Sequence, residues 1–163
     1  MARDKKYWKR RLGKVEYASP YQDHIDFRGI PDLNDEGLAY FLTGIKGINM
    51  LDLNETEITN DSIAFLCNLE YVNELRLKGC LEIDDDCIFH LNKMTSLQFL
   101  HIKDTAITID GILQLNALKN LRELLFSVED IETVKDDMLL LKIMLPNCNF
   151  TINSVPYVFK NEI

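Results

Sequence analysis

The chain has 163 residues, 47% of them hydrophobic, with 26 acidic against 18 basic side chains and a formal net charge of −8. That is the length of one domain, enough to bury a core without disulfides or metals, and the composition is that of a globular protein. The acidic balance disfavours nucleic acid as a partner, since like charges repel. No apolar run, Met138 to Leu141 included, is long enough to cross a bilayer.

In chain order, the first 14 residues carry Arg3, Lys5, Lys6, Lys9, Arg10, Arg11 and Lys14 against one acid, Asp4. This is a local charge of +6, and it leaves −14 on the remaining residues. No apolar stretch follows, so the segment does not read as a secretory signal. It holds an acid and no serine, which argues against a mitochondrial transit peptide. Residues 1–22 are instead expected to form a basic, aromatic cap from Tyr7, Trp8, Leu12, Val15 and Tyr17. Tyr7 and Trp8 would anchor it over the first strand.

From residue 23 a pattern returns. It reads Ile48-Asn-Met-Leu51-Asp-Leu53, Val72-Asn-Glu-Leu75-Arg-Leu77, Leu97-Gln-Phe-Leu100-His-Ile102 and Leu121-Arg-Glu-Leu124-Leu-Phe126. Degenerate copies flank these at His24 to Phe27 and Leu145 to Phe150. Their last apolar positions are 27, 53, 77, 102, 126 and 150, giving steps of 26, 24, 25, 24 and 24. One such strand cannot bury its apolar face alone, whereas stacked copies share a continuous core. The predicted architecture over residues 23–152 is an α/β leucine-rich-repeat solenoid of five to six repeats. It is a short right-handed arc with a concave parallel sheet inside and helices outside.

Each repeat has the same internal order. Leu75 and Leu77 point inward while Glu74, Arg76 and Lys78 point outward. A small residue follows at Thr56, Cys80 and Thr105, then a core isoleucine at Ile58, Ile83 and Ile107. Asn34, Thr59, Asp84 and Thr108 are residue types that cap helix N-termini. An acid stands two residues on, at Glu36, Asp61, Asp86 and Asp110, where the helix dipole favours it. The helices bury pairs such as Ile63/Leu66, Ile88/Leu91 and Ile112/Leu115. Near the end, Ile131 to Leu145 is predicted as one longer helix stopped by Pro146. A strand from Cys148 to Ile152 follows, and residues 153–163 form a closing segment around Val155 to Phe159.

The stretch Leu75-Arg-Leu-Lys-Gly-Cys-Leu-Glu-Ile-Asp-Asp-Asp-Cys-Ile resembles the cysteine-containing class of leucine-rich repeat. Residues 72–152, with Cys80 to Cys87 and the helix ending at Leu145-Pro146, are similar to the ATP synthase subunit s family, also called coupling factor B. That resemblance implies a non-enzymatic assembly or coupling role near respiratory complexes. Residues 1–50 do not match that family's amino-terminal region.

The four cysteines, at 67, 80, 87 and 148, have no zinc-ligand spacing and read as free thiols in a reducing compartment, so the expected location is cytoplasmic. Asp84-Asp85-Asp86 offers hard oxygen ligands, but the same column holds Thr59 and Thr108, so capping is the reading taken. His90 falls on the convex helices, while His24 and His101 face the concave side. No Gly-x-Ser-x-Gly, phosphate loop or His-Glu-x-x-His occurs, so neither enzyme activity nor a cofactor or metal is expected.

The outward columns run His24, Met50, Glu74, Phe99, Glu123, Asn147; then Asp26, Asp52, Arg76, His101, Leu125, Asn149; then Arg28, Asn54, Lys78, Lys103, Ser127, Thr151. Met50, Phe99 and Leu125 are large apolar groups at water-facing positions, and Arg76, Lys78, His101 and Lys103 gather basic charge beside them. Interfaces favour aromatics, methionine and arginine at their centres. The expected function is binding of a protein partner through Met50, Asp52, Asn54, Glu74, Arg76, Lys78, Phe99, His101, Lys103 and Leu125, by a domain that is monomeric alone. Two alternatives are the subunit s type of assembly factor and a small toxin-neutralising inhibitor. The inhibitor would use Asp26, Asp52 and Glu74.

Overall fold

Alternating apolar positions oblige a strand to hide one face, and β1 to β6 do so together in one open seven-stranded sheet of order β1-β2-β3-β4-β5-β6-β7. The structure is a computed structural model that describes residues 4–159. Arg3 of the basic segment and residues 160–163 of the closing segment lie outside the described residues. The strands are β1 (Tyr21–Asp26), β2 (Gly47–Asp52), β3 (Tyr71–Arg76), β4 (Phe99–His101), β5 (Glu123–Phe126), β6 (Asn149–Ile152) and β7 (Val155–Pro156). The first six pair in parallel, and β7 turns back antiparallel on β6. The helices are α1 (Lys5–Leu12), α2 (Asp35–Phe41), α3 (Asn60–Leu66), α4 (Ile88–Leu91, entered by a 3₁₀ turn at Asp85–Cys87), α5 (Ile109–Ile112) and α6 (Lys135–Met144). Sheet and helices alternate along the chain in a solenoid-like α/β arrangement.

The core lies between the two layers. Ile25, Leu51, Leu75, Leu100, Leu124 and Phe150 stand in register across six strands, and all are buried. Each such side chain contributes about 1.5–3 kcal/mol when removed from water. The small-residue ladder behaves as its spacing implies. Thr56 Oγ1 donates to the Leu53 carbonyl at 2.7 Å, Cys80 Sγ reaches the same carbonyl at 3.1 Å, and Thr105 Oγ1 donates to Ile102 at 2.8 Å. The turns leaving β2, β3 and β4 each use a left-handed residue, Glu55, Gly79 and Asp104 at φ 61°, 72° and 56°.

All four predicted caps form. Asn34 accepts from the Gly37 N–H, Thr59 from Asp61, Asp84 from Asp86 and Thr108 from Gly111. The caps are also cross-linked between repeats. Asp35 accepts from the Thr59 N–H and hydroxyl, both at 2.9 Å, and from the Ser62 hydroxyl. Asn60 and Asp84 bond reciprocally, and Asp85 accepts from the Thr108 N–H at 2.8 Å and its hydroxyl at 2.6 Å.

Three expectations need correction. The register of the last strand is displaced by two residues: Leu124 faces Phe150 and Leu125 faces Thr151, so Asn149 lies opposite Glu123. Inward positions recur every second residue, so the shift still leaves Cys148, Phe150 and Ile152 buried. The long carboxyl-terminal helix begins at Lys135, because Ile131, Thr133 and Val134 form a β-branched run that makes only a turn, tied by Asp130. The amino-terminal cap covers α2, not the first strand. Trp8 is fully buried, its ring 6.3 Å from Phe41, and its indole N–H donates to Asn34 Oδ1 at 2.8 Å. Gly37 makes the slot, since a Cβ there would lie 2.5 Å from the indole. Leu12, expected in the cap, is exposed.

Candidate functional site

Register sets the outward face of the sheet. Met50, Glu74 and Phe99 are neighbours on β2, β3 and β4, and Asp52, Arg76, His101 and Leu125 are neighbours on β2 to β5. Adjacent strands lie about 4.8 Å apart, so these side chains meet by construction. At the centre, the Arg76 guanidinium lies 4.7 Å over the Phe99 ring. Arg76 Nη2 reaches Glu74 Oε2 at 3.3 Å, while its Nε is buried without a hydrogen-bond partner. Phe99 meets the His101 imidazole edge-on at 6.4 Å. The stack holds a cation over an aromatic ring, worth about 0.5–2 kcal/mol according to exposure.

His101 is half-buried, and its pKa is lowered from the ordinary histidine value. Burial is the leading cause, followed by the nearby charge of Arg76 and Lys78. Lys103 adds to the effect and Asp52 opposes it. Beyond His101, a cavity of about 360 Å³ is walled by Lys78, His101, Lys103, Leu125, Phe126, Thr151 and Ser154. Thr151 stood in the predicted outward column of Lys78 and Lys103 but not among the expected contact residues, and Ser154 fell in the predicted closing segment; in the structure Thr151 lies opposite Leu125.

The acidic members of the predicted face are already engaged. Asp52 was expected to present its carboxylate, yet it is only 3% exposed. Arg28, reaching across from the preceding repeat, lies 3.4 Å from Asp52 Oδ2, and the Asn54 N–H donates to Oδ1 at 3.1 Å. Asp26 is held by the same arginine, whose hydrogen bonds bring its carboxyl down to about 2. Glu74 is taken by Arg76. The contact set of the inhibitor alternative is therefore paired internally with arginine. Asn54 is also engaged, accepting from the Lys78 N–H at 2.8 Å. Met50, Phe99 and Leu125 are half-buried rather than prominent.

Other chemistry-bearing residues have separate roles. The Asp84 and Asp85 carboxylates bond to neighbouring repeats as described above, and no group of three or more His, Cys, Asp or Glu side chains among the described residues is placed to hold a metal ion. On the helix side of the sheet Cys67 Sγ, just after α3, lies 3.7 Å from His90 Nδ1 on α4. The outer face of α6 leaves Leu139, Leu140 and Ile143 exposed. Their spacing of three and four was visible in the sequence, but the length of the apolar run masked which residues face the core.

No family model matches the chain. Human mitochondrial ATP synthase subunit s is 33% identical to it over 85 residues, which is 49% of this chain and 42% of that protein. The chain therefore spans under half the length of this relative. No helix among the described residues is long and apolar enough to cross a membrane.

Proposed function

We propose that this chain is a leucine-rich-repeat module that binds a protein partner and catalyses no reaction, with Arg76, Phe99 and His101 at the centre of the contact. The observation that carries the reading is the preformed Arg76–Phe99 stack, a cation and an aromatic side by side on a half-covered strand face. Arginine and aromatic side chains are enriched where binding energy concentrates, and holding them in place beforehand lowers the entropy cost of binding. A partner segment with acidic and apolar side chains complements them. The sequence repeat, the shared register of inward leucines and the cross-linked caps support the leucine-rich-repeat reading over residues 23–152. Four cysteines without a disulfide among them are consistent with a reducing, cytoplasmic setting.

The test is affinity capture from the native cell with the wild-type chain, Arg76→Glu and Phe99→Ala, followed by mass spectrometry. The reading requires one protein to be recovered by the wild type and lost by both variants. Equal recovery by all three would overturn it. A second reading follows from the relative, whose name makes it a subunit of ATP synthase in mitochondria. In that reading the chain serves assembly or coupling within a related complex. The same capture experiment separates the two, because the recovered proteins would then be subunits of that complex.

A further inference from the structure

The cavity at the end of β3 and β4 is cationic, although the chain after the basic amino-terminal segment is acidic overall. Its wall contains Lys78, His101 and Lys103 and not one carboxylate, in a chain with 26 acids against 18 lysines and arginines. Thr151 and Ser154 add hydroxyls opposite the lysines, and Leu125 makes an apolar side. Lys78 and Lys103 do have acidic neighbours, Glu55 at 3.3 Å and Asp104 at 3.4 Å. Both acids are well exposed and lie outside the wall, so these pairs are weak and easily exchanged for a better anion.

We infer that this cavity is a subsite for a phosphoryl group carried on an extended peptide segment of the partner. The peptide source rests on the protein-binding reading above; the anion chemistry stands on the cavity itself. A phosphoryl group bears a charge of about −1.5 to −2 near neutral pH and several strong acceptor oxygens. Two ammonium groups, a protonatable imidazole and two hydroxyls match that demand, whereas a single carboxylate would leave positive charge uncompensated. Lysine binds phosphate as a point charge, and a concave wall of one sign focuses the field on it. From His101 the face continues to Phe99 and Arg76, which gives the flanking peptide residues a place to lie.

The subsite couples anion binding to a proton. His101 faces Arg76 and Lys78 from β3 and the turn after it, Lys103 from its own repeat and Asp52 from β2. Burial and the three cations favour its neutral form. An oxyanion beside it reverses that balance, so the imidazole takes up a proton on binding and affinity rises as pH falls from 7.5 towards 6.5.

The experiment follows the His101 imidazole C–H resonances and the heat of binding with the full chain. The probes are a short peptide with one phosphoserine between apolar residues, the same peptide with serine or glutamate in its place, and inorganic phosphate alone. The phosphopeptide should bind at least tenfold more tightly than the other three and raise the His101 titration midpoint. Lys78→Gln and Lys103→Gln should each weaken it about tenfold or more while leaving the melting temperature unchanged. Absence of any His101 response overturns the subsite. Equal binding of the glutamate peptide overturns its selectivity for phosphoryl, and equal binding of inorganic phosphate overturns the peptide source. The two readings fail separately: the protein-binding reading falls with unchanged capture by Arg76→Glu, and the subsite falls with a silent His101.

Discussion

The four thiols show how burial decides reactivity residue by residue. Cys87 and Cys148 are pushed up to about 12 and Cys80 is also raised, in each case chiefly by burial. Cys67 is half-exposed. A thiol reagent acts on the thiolate, so in the native protein near pH 8 only Cys67 should react quickly, and the other three should wait for unfolding. Counting labelled cysteines by mass before and after denaturant checks this, and rapid native labelling of Cys80 would contradict the core as described. His101 makes a second residue-scale prediction. Its folded pKa lies below the unfolded value of about 6.5, so the unfolded chain binds the proton more readily. Stability is unaffected above that value and declines as pH falls below it towards the folded pKa. His101→Gln should therefore melt less steeply with acid than wild type between pH 7 and 5. Parallel melting curves would remove the burial argument.

At the scale of elements, the caps do two jobs, and the sequence disclosed only one of them. Residue type and position identify Asn34, Thr59, Asp84 and Thr108 as caps, because a helix start has a local signature. The bonds from Asp35 to Thr59 and Ser62 join residues 24 and 27 apart. No local signature marks them, although the repeat places each cap beside the next. Ser62 is only 1% exposed, so Asp35→Ala would strand its hydroxyl and the Thr59 N–H and should cost about 1–3 kcal/mol. Asp110→Ala removes only an acid favoured by the helix dipole and should cost no more than about 0.5 kcal/mol. Denaturant melts of the two variants check the contrast, and equal losses would mean that the ladder contributes nothing beyond ordinary capping. The misplaced β6 register has a related cause. A pattern of period two fixes which residues face inward but is silent about a slip of two, so Cys148 and Phe150 were legible as core while Thr151 was not legible as a neighbour of Leu125.

For the whole molecule, the site on the outward strand face was legible as a set of columns and illegible as a set of contacts. Strand parity alone places Arg76, Phe99 and His101 on one face. Whether a charge there is free depends on a side chain from another repeat, as when Arg28 covers Asp52, and parity says nothing about that. The inward and outward columns make opposite forecasts. Leu77 is fully buried in the shared core, so Leu77→Asp places an unpaired charge there and should destabilise the fold by several kcal/mol. Reversal at Lys103 acts on a side chain that is 25% exposed and paired with the exposed Asp104, so Lys103→Glu should change stability by about 0.5 kcal/mol or less. Its effect should fall on recognition: it puts an acid beside Lys78 and His101, and an acidic partner should then associate more slowly and lose most of the salt dependence of its on-rate. Melting curves paired with association rates at low and moderate salt measure both effects on one sample. A Lys103→Glu protein that folds normally and binds its partner with unchanged rate and salt dependence would move the functional surface off the outward strand face. The exposed Leu139, Leu140 and Ile143 of α6 would then be the next surface to mutate.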